Sequence, residues 1–213
     1  MNLFKIIATS SLAIICTCCN TKNDIKIACI GDSITEGFGI DWQSNNSYPA
    51  LLDSILGEGY EVMNFGRSAT TMMETGNFPY WSAKEFNNTL EYKADIAILK
   101  LGTNDAKLFQ WNIDKYKTSY QHMIDTLKSI NPNMTIKVCL PAWVASDRWE
   151  ITDSVVSTYV IDAIKDIAQK NSLEIIDIYG HLQGHNELYL NDGIHPNRAG
   201  ALSMAKKIAS HIK

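Results

Sequence analysis

With 213 residues, 46% of them hydrophobic, the chain can fill one complete core, and its length is ordinary for a single domain. A formal charge of −4 leaves no cationic stripe to neutralise a phosphate backbone, which argues against nucleic acid as a partner. Three of the five cysteines crowd into Cys16, Cys18 and Cys19, so the chain lacks the evenly spread framework of a disulfide scaffold.

The first fifteen residues carry Lys5 and then a short apolar stretch from Ile6 to Ile15, interrupted by Thr9, Ser10 and Ser11. Crossing a bilayer takes ~20 apolar residues, so residues 1–19 read as a secretory signal, not a span. The stretch ends in Cys16-Thr17-Cys18-Cys19-Asn20, which resembles the cleavage box of bacterial lipoproteins, where a lipidated cysteine becomes the new amino terminus. Such a box has leucine three places before the cysteine and a small residue just before it; Cys18 has Ile15 and Thr17 there, and Cys19 has Cys16 and Cys18. Both cysteines stay candidates, with an ordinary cleaved signal as the alternative. Residues 20–24 then form a polar tether to a domain at 25–213, and the expected location is secreted or lipid-anchored. Any membrane contact is expected through that anchor alone.

Beyond the tether, apolar runs predict strands at Lys26–Ile30, Glu61–Phe65, Asp95–Leu101, Thr135–Leu140 and Glu174–Ile178. Between and after them, three- and four-residue apolar spacing predicts helices at Tyr48–Leu56, Ser82–Leu90, Ile113–Ile130, Ser154–Asn171 and Pro196–Ile212. Pro49 and Pro196 fall where a first helical turn tolerates a missing N–H. Strands such as Ile96-Ala97-Ile98-Leu99, apolar without alternation, suit a parallel sheet covered on both faces. The expected architecture is a three-layer α/β/α domain around a doubly wound five-stranded parallel sheet of flavodoxin-like type, with its site beyond the carboxyl ends of the strands. Cys29 and Cys139 sit inside such strands and read as packing.

The strand ends carry the chemistry. Ile30-Gly31-Asp32-Ser33 closes the first apolar run, Asn64-Phe65-Gly66-Arg67-Ser68 the second, and Leu101-Gly102-Thr103-Asn104-Asp105 the third. Asp192-Gly193-Ile194-His195-Pro196-Asn197 precedes the last helix. A serine hydroxyl needs an imidazole to take its proton, and the imidazole needs a carboxylate to hold its tautomer. Ser33, His195 and Asp192 supply that set, Asp192 and His195 only three residues apart. Asp32 and Asp105 read as scaffolding that accepts backbone N–H bonds, and His122, His181 and His185 as solvent-facing.

These four blocks, in this order, resemble the GDSL esterases, also called SGNH hydrolases, over residues 25 to 210. The resemblance implies Ser33 as nucleophile, His195 as base and Asp192 as its partner, with an oxyanion hole from Ser33, Gly66 and Asn104. It implies no metal and no organic cofactor. The Gly-Thr-Asn-Asp block with a tryptophan soon after, and the Asn-Phe-Gly block, look like bacterial carbohydrate or sialate O-acetylesterases.

Trp81, Trp111, Trp143 and Trp149 lie in or beside stretches leaving strand ends, and could stack on the C–H face of a sugar. The expected substrate-binding set is Trp81, Trp111, Trp143 and Arg148, with Arg67 as a further cation near the rim. The expected activity is removal of small acyl groups, acetyl foremost, from a small acylated carbohydrate. Two rivals fit the same blocks: a lysophospholipase or thioesterase, and a non-catalytic glycan-binding protein that keeps the fold.

Overall fold

The computed structural model describes residues 24–40 and 45–213. The expected signal at 1–19, with Cys16, Cys18 and Cys19, and the tether up to residue 23 lie outside the described residues. The sheet comprises β1 (Ile25–Gly31), β2 (Tyr60–Gly66), β3 (Ile96–Lys100), β4 (Thr135–Cys139) and β5 (Glu174–Ile176). All neighbours pair in parallel, in the order β2-β1-β3-β4-β5. The chain winds outward from β1 to β2, returns to β3 on the other side of β1, and continues to the far edge. The reversal falls between β1 and β3, where loops leaving two strands in opposite directions open a crevice.

Side-chain alternation along each strand feeds two cores. Ile27, Cys29, Ile98, Cys139 and Ile176 pack on one face with α2 (Tyr48–Leu56), α7 (Ile178–Leu182) and α8 (Arg198–Ala209). Ala28, Ile30, Ala97, Leu99 and Val138 pack on the other with α3 (Lys84–Tyr92), α4 (Ile113–Ile130) and α6 (Ile161–Lys170). The expected three-layer doubly wound fold is therefore the one observed, each fully buried Ile or Leu contributing ~1.5–3 kcal/mol. Cys29 and Cys139 are free, buried thiols, and burial pushes both upward, Cys139 to about 12.

Several local features differ from the expectation, and the last strand ends at Ile176 because Ile178 already opens α7. The expected helix at Ser82–Leu90 starts two residues later, because Tyr80–Ser82 is spent on a tight helical turn before it. The expected helix at Ser154–Asn171 begins as α5 (Asp153–Val155) on a Thr152 cap and passes through one wide turn, Val156–Val160, before α6. Pro196 does not open the last helix: Asn197 caps it, its side chain accepting the N–H groups of Ala199 (2.9 Å) and Gly200 (3.1 Å). A one-turn helix α1 (Ser33–Glu36) directly after β1 was not expected. Gly102, at φ 136°, turns the chain out of β3, and a Cβ there would stand 2.6 Å from Tyr116 Oη and 2.9 Å from Val160 Cγ1. Only glycine fits between α4 and the wide turn, and it sets where Thr103 and Asn104 emerge.

Candidate active site

Ser33 is the first residue of α1, which begins where β1 ends. Asp32 caps that turn by accepting the Ile34 N–H at 3.0 Å, and its carboxylate is held by the Lys100 ammonium at 2.8 and 3.1 Å. Both members of this ion pair are buried. As the first helical residue, Ser33 has no intrahelical acceptor for its own N–H.

The Ser33 Oγ lies 2.9 Å from His195 Nε2, across 162 residues of sequence. On the other side of the ring, His195 Nδ1 is 2.8 Å from Asp192 Oδ2. The second oxygen of Asp192 accepts the backbone N–H groups of Ile194 and His195, each at 2.9 Å. Partial burial pushes the Asp192 carboxyl up, but the hydrogen bonds from His195 and Ile194 outweigh it and hold the group below the usual carboxylate range. The carboxylate thus fixes both the backbone path and the tautomer, with the proton on Nδ1 and Nε2 free to accept from serine.

Ser33 and His195 open into a cavity of about 200 Å³ that Asn104 also lines. Asn104 is fixed from both ends: its side-chain amide donates to the Thr70 carbonyl at 3.1 Å, and its own carbonyl accepts from Gln110 at 2.7 Å. Asp105, beside it, is fully buried and accepts the N–H groups of Met72 (2.9 Å) and Met73 (2.8 Å). The expected scaffolding roles of Asp32 and Asp105 match these contacts.

Gly66 is placed differently from the expectation. Its N–H donates to Asn64 Oδ1 at 2.8 Å, it is absent from the cavity wall, and a Cβ on it would stand 2.1 Å from the Glu36 nitrogen. Glycine is needed there so that α1 can lie against the end of β2. The backbone that reaches the cavity belongs to Ala69, three residues on. Ala69 has φ 65° within a turn closed by Thr70 N–H to the Arg67 carbonyl (3.4 Å), and its N–H has no acceptor among the described residues. Glu36 of α1 clamps this turn by accepting both the N–H and the hydroxyl of Ser68. A glycine at 69 would have flagged the turn; an alanine in that conformation carries no sequence signal.

Three of the expected platform residues serve packing instead. Trp81 donates to the Met72 carbonyl at 2.9 Å and stacks on His122 with ring centroids 4.5 Å apart. Trp111 packs on Tyr116 and Trp143 edge-on to Tyr189, both partly buried against the cores. None of the three lines the cavity, and neither does Arg148, whose guanidinium lies over the Trp149 ring at 4.8 Å. The aromatic residues at the cavity are Phe38 and Trp149, whose rings lie 4.6 and 5.8 Å from the His195 imidazole. Arg67 lines a neighbouring groove that meets the cavity at Ser68 and Ala69. His122, His181 and His185 are exposed, as expected, and pair with Glu74, Ser203 and Glu187. Among the described residues no cluster of three His, Cys, Asp or Glu side chains could hold a metal ion.

Comparison with known proteins follows the same lines. The model of the GDSL-like lipase/acylhydrolase family matches residues 29–201. An acetylxylan esterase of Xylanibacter ruminicola is 36% identical over 90% of this chain and 44% of its own length, so the chain spans less than half of that relative. Among solved structures, a lipase/acylhydrolase from Enterococcus faecalis superposes with a TM-score of 0.71 at 23% identity, covering 88% of this chain and 94% of that one. An acetyl xylan esterase superposes at 0.69 and 22% identity, covering 89% of this chain and all of the other. These two likenesses establish the fold; the family follows from the matched residues, which include all four sequence blocks. The chain belongs to the GDSL-like lipase/acylhydrolase family.

Proposed function

We propose that the protein is a serine esterase that removes acetyl groups from carbohydrate hydroxyls through an acyl-enzyme. The observation that carries this reading is the unbroken chain Asp192–His195–Ser33, at 2.8 and 2.9 Å, opening into the cavity that Asn104 lines. His195 Nε2 takes the Ser33 proton as Oγ attacks the acyl carbon, and the oxyanion is met by the N–H groups of Ser33 and Ala69 and the side-chain amide of Asn104. The imidazolium then protonates the departing sugar oxygen. Water then bonds to the acyl carbon as its proton passes to the same nitrogen, and the imidazolium returns that proton to Ser33 Oγ as the acyl–serine bond breaks, releasing acetic acid and restoring the serine.

The cavity supports a small acyl group. At about 200 Å³ it falls below the ~300 Å³ at which pockets begin to accept drug-sized ligands, and Phe38, Ile151 and Ile194 give it an apolar lining for a methyl. The relative named for acetylxylan supports a carbohydrate as the alcohol. We further propose, from residues 1–19, that the protein is exported and either released or held by a lipid on Cys18 or Cys19.

Acetate release from acetylated xylan by wild type and Ser33→Ala tests the reading, together with p-nitrophenyl acetate and octanoate. The expected outcome is a loss of about 10⁴-fold or more on removing the hydroxyl and a preference for acetate. Retained activity in Ser33→Ala, or a preference for the octanoyl ester, overturns it.

A further inference from the structure

Arg148 and Ile151 exchange both backbone hydrogen bonds, at 3.0 and 2.9 Å, so Trp149 and Glu150 form a two-residue hairpin tip. Their φ angles are 50° and 63°. Such a tip ordinarily holds Asn-Gly, because both positions need the left-handed conformation that side chains with a Cβ adopt at a cost. A tryptophan followed by a glutamate is a poor choice for the turn itself. Nor does packing explain the indole: it is 49% exposed and joins neither hydrophobic core, whereas Ile151, the next residue but one, is buried. What the strained conformation achieves is placement, with the indole on the cavity wall beside Ser33 and His195 and the Arg148 guanidinium over it.

We propose that Trp149 is the platform for the pyranose ring whose ester is cleaved, and that the turn holds backbone strain to present it. This rests on the carbohydrate esterase reading above. A pyranose exposes a face of C–H groups that stacks on indole, and a ring so held would bring its acetylated oxygen toward Ser33. Strain of this kind persists where the surrounding structure enforces it, and it collects at ligand-binding positions. The arrangement makes Trp149 a determinant of which alcohol is accepted, while the acyl group is accepted by the cavity itself.

The test compares wild type with Trp149→Ala, Trp149→Phe and the double variant Trp149→Asn/Glu150→Gly, on acetylated xylo-oligosaccharide and on p-nitrophenyl acetate. Trp149→Ala and the double variant should lose at least 10-fold more kcat/KM on the oligosaccharide than on the aryl ester, chiefly through KM, and Trp149→Phe should recover part of the difference. The double variant should also gain roughly 4–8 °C in Tm, as Asn and Gly adopt the left-handed conformation at lower cost. Equal losses on the two esters overturn the platform, and a Tm that fails to rise overturns the strain. A wild type inert toward both esters brings down the esterase reading and the platform with it, a result distinct from equal loss.

Discussion

Changing Asp192 to asparagine separates what its carboxylate does for the backbone from what it does for the ring. One oxygen accepts two backbone N–H groups and the other accepts from His195 Nδ1. An asparagine that keeps its oxygen on the backbone turns its NH₂ group toward Nδ1, which forces the imidazole proton onto Nε2. The nitrogen facing Ser33 then donates instead of accepting. Asp192→Asn should therefore fold normally and lose about 10³–10⁴-fold in kcat on p-nitrophenyl acetate, measured beside its far- and near-UV circular dichroism. A variant with native spectra and near-native kcat would show that the carboxylate does not set the tautomer. The residues of this triad were legible in sequence because each polar group sits in a short block, at the end of β1 for Ser33 and in the loop before α8 for Asp192 and His195. Ala69 was not, and Trp149 stood among four candidate tryptophans with nothing to set it apart, since a positive φ on a residue with a Cβ is imposed by tertiary contacts and leaves no local mark.

At the scale of elements, the turn that presents Ser33 is a single helical turn held by side-chain braces. With four residues, α1 is far too short to hold itself, because helix nucleation costs more than one turn of hydrogen bonds returns. Its support is the Asp32 cap, and Asp32 in turn is neutralised by Lys100 from the end of β3. Lys100→Met leaves that carboxylate buried and unpaired, and should cost about 3–5 kcal/mol of unfolding free energy in urea titrations. Asp32→Asn/Lys100→Met should regain most of the loss, since an amide can still accept the Ile34 N–H without carrying a charge. A double variant as unstable as the single would mean that Lys100 acts by filling space. The longer elements were readable because α2 and α4 each turn one apolar face to a core, while the strands are apolar on both faces and feed both cores. The short helices and the Pro196–Asn197 boundary were not, because side-chain caps outweigh the pattern over a few residues.

For the whole molecule, two carboxylates pull stability in opposite directions as pH changes. Burial pushes Asp105 up to about 7, against the pull of its two backbone donors, while an unfolded aspartate titrates near ~3.9. Between those values the native state holds a proton that the unfolded chain has released, so its contribution to stability is greatest in acid and is lost as pH rises toward about 7. Asp192 acts with the other sign. Its folded carboxyl is held below the unfolded value, so its contribution is complete above ~4 and disappears as pH falls through the folded value. Stability should therefore peak at mildly acid pH. Scanning calorimetry from pH 3 to 9 should give a higher Tm at pH 5 than at pH 8. Asp105→Asn should flatten the descending limb and leave the ascending one in place, whatever it costs in overall stability. A wild-type Tm that rises steadily from pH 5 to 8 would instead mean that the two N–H groups of Met72 and Met73 keep Asp105 ionised inside the fold. The turn beside the cavity would then be held by a buried charge.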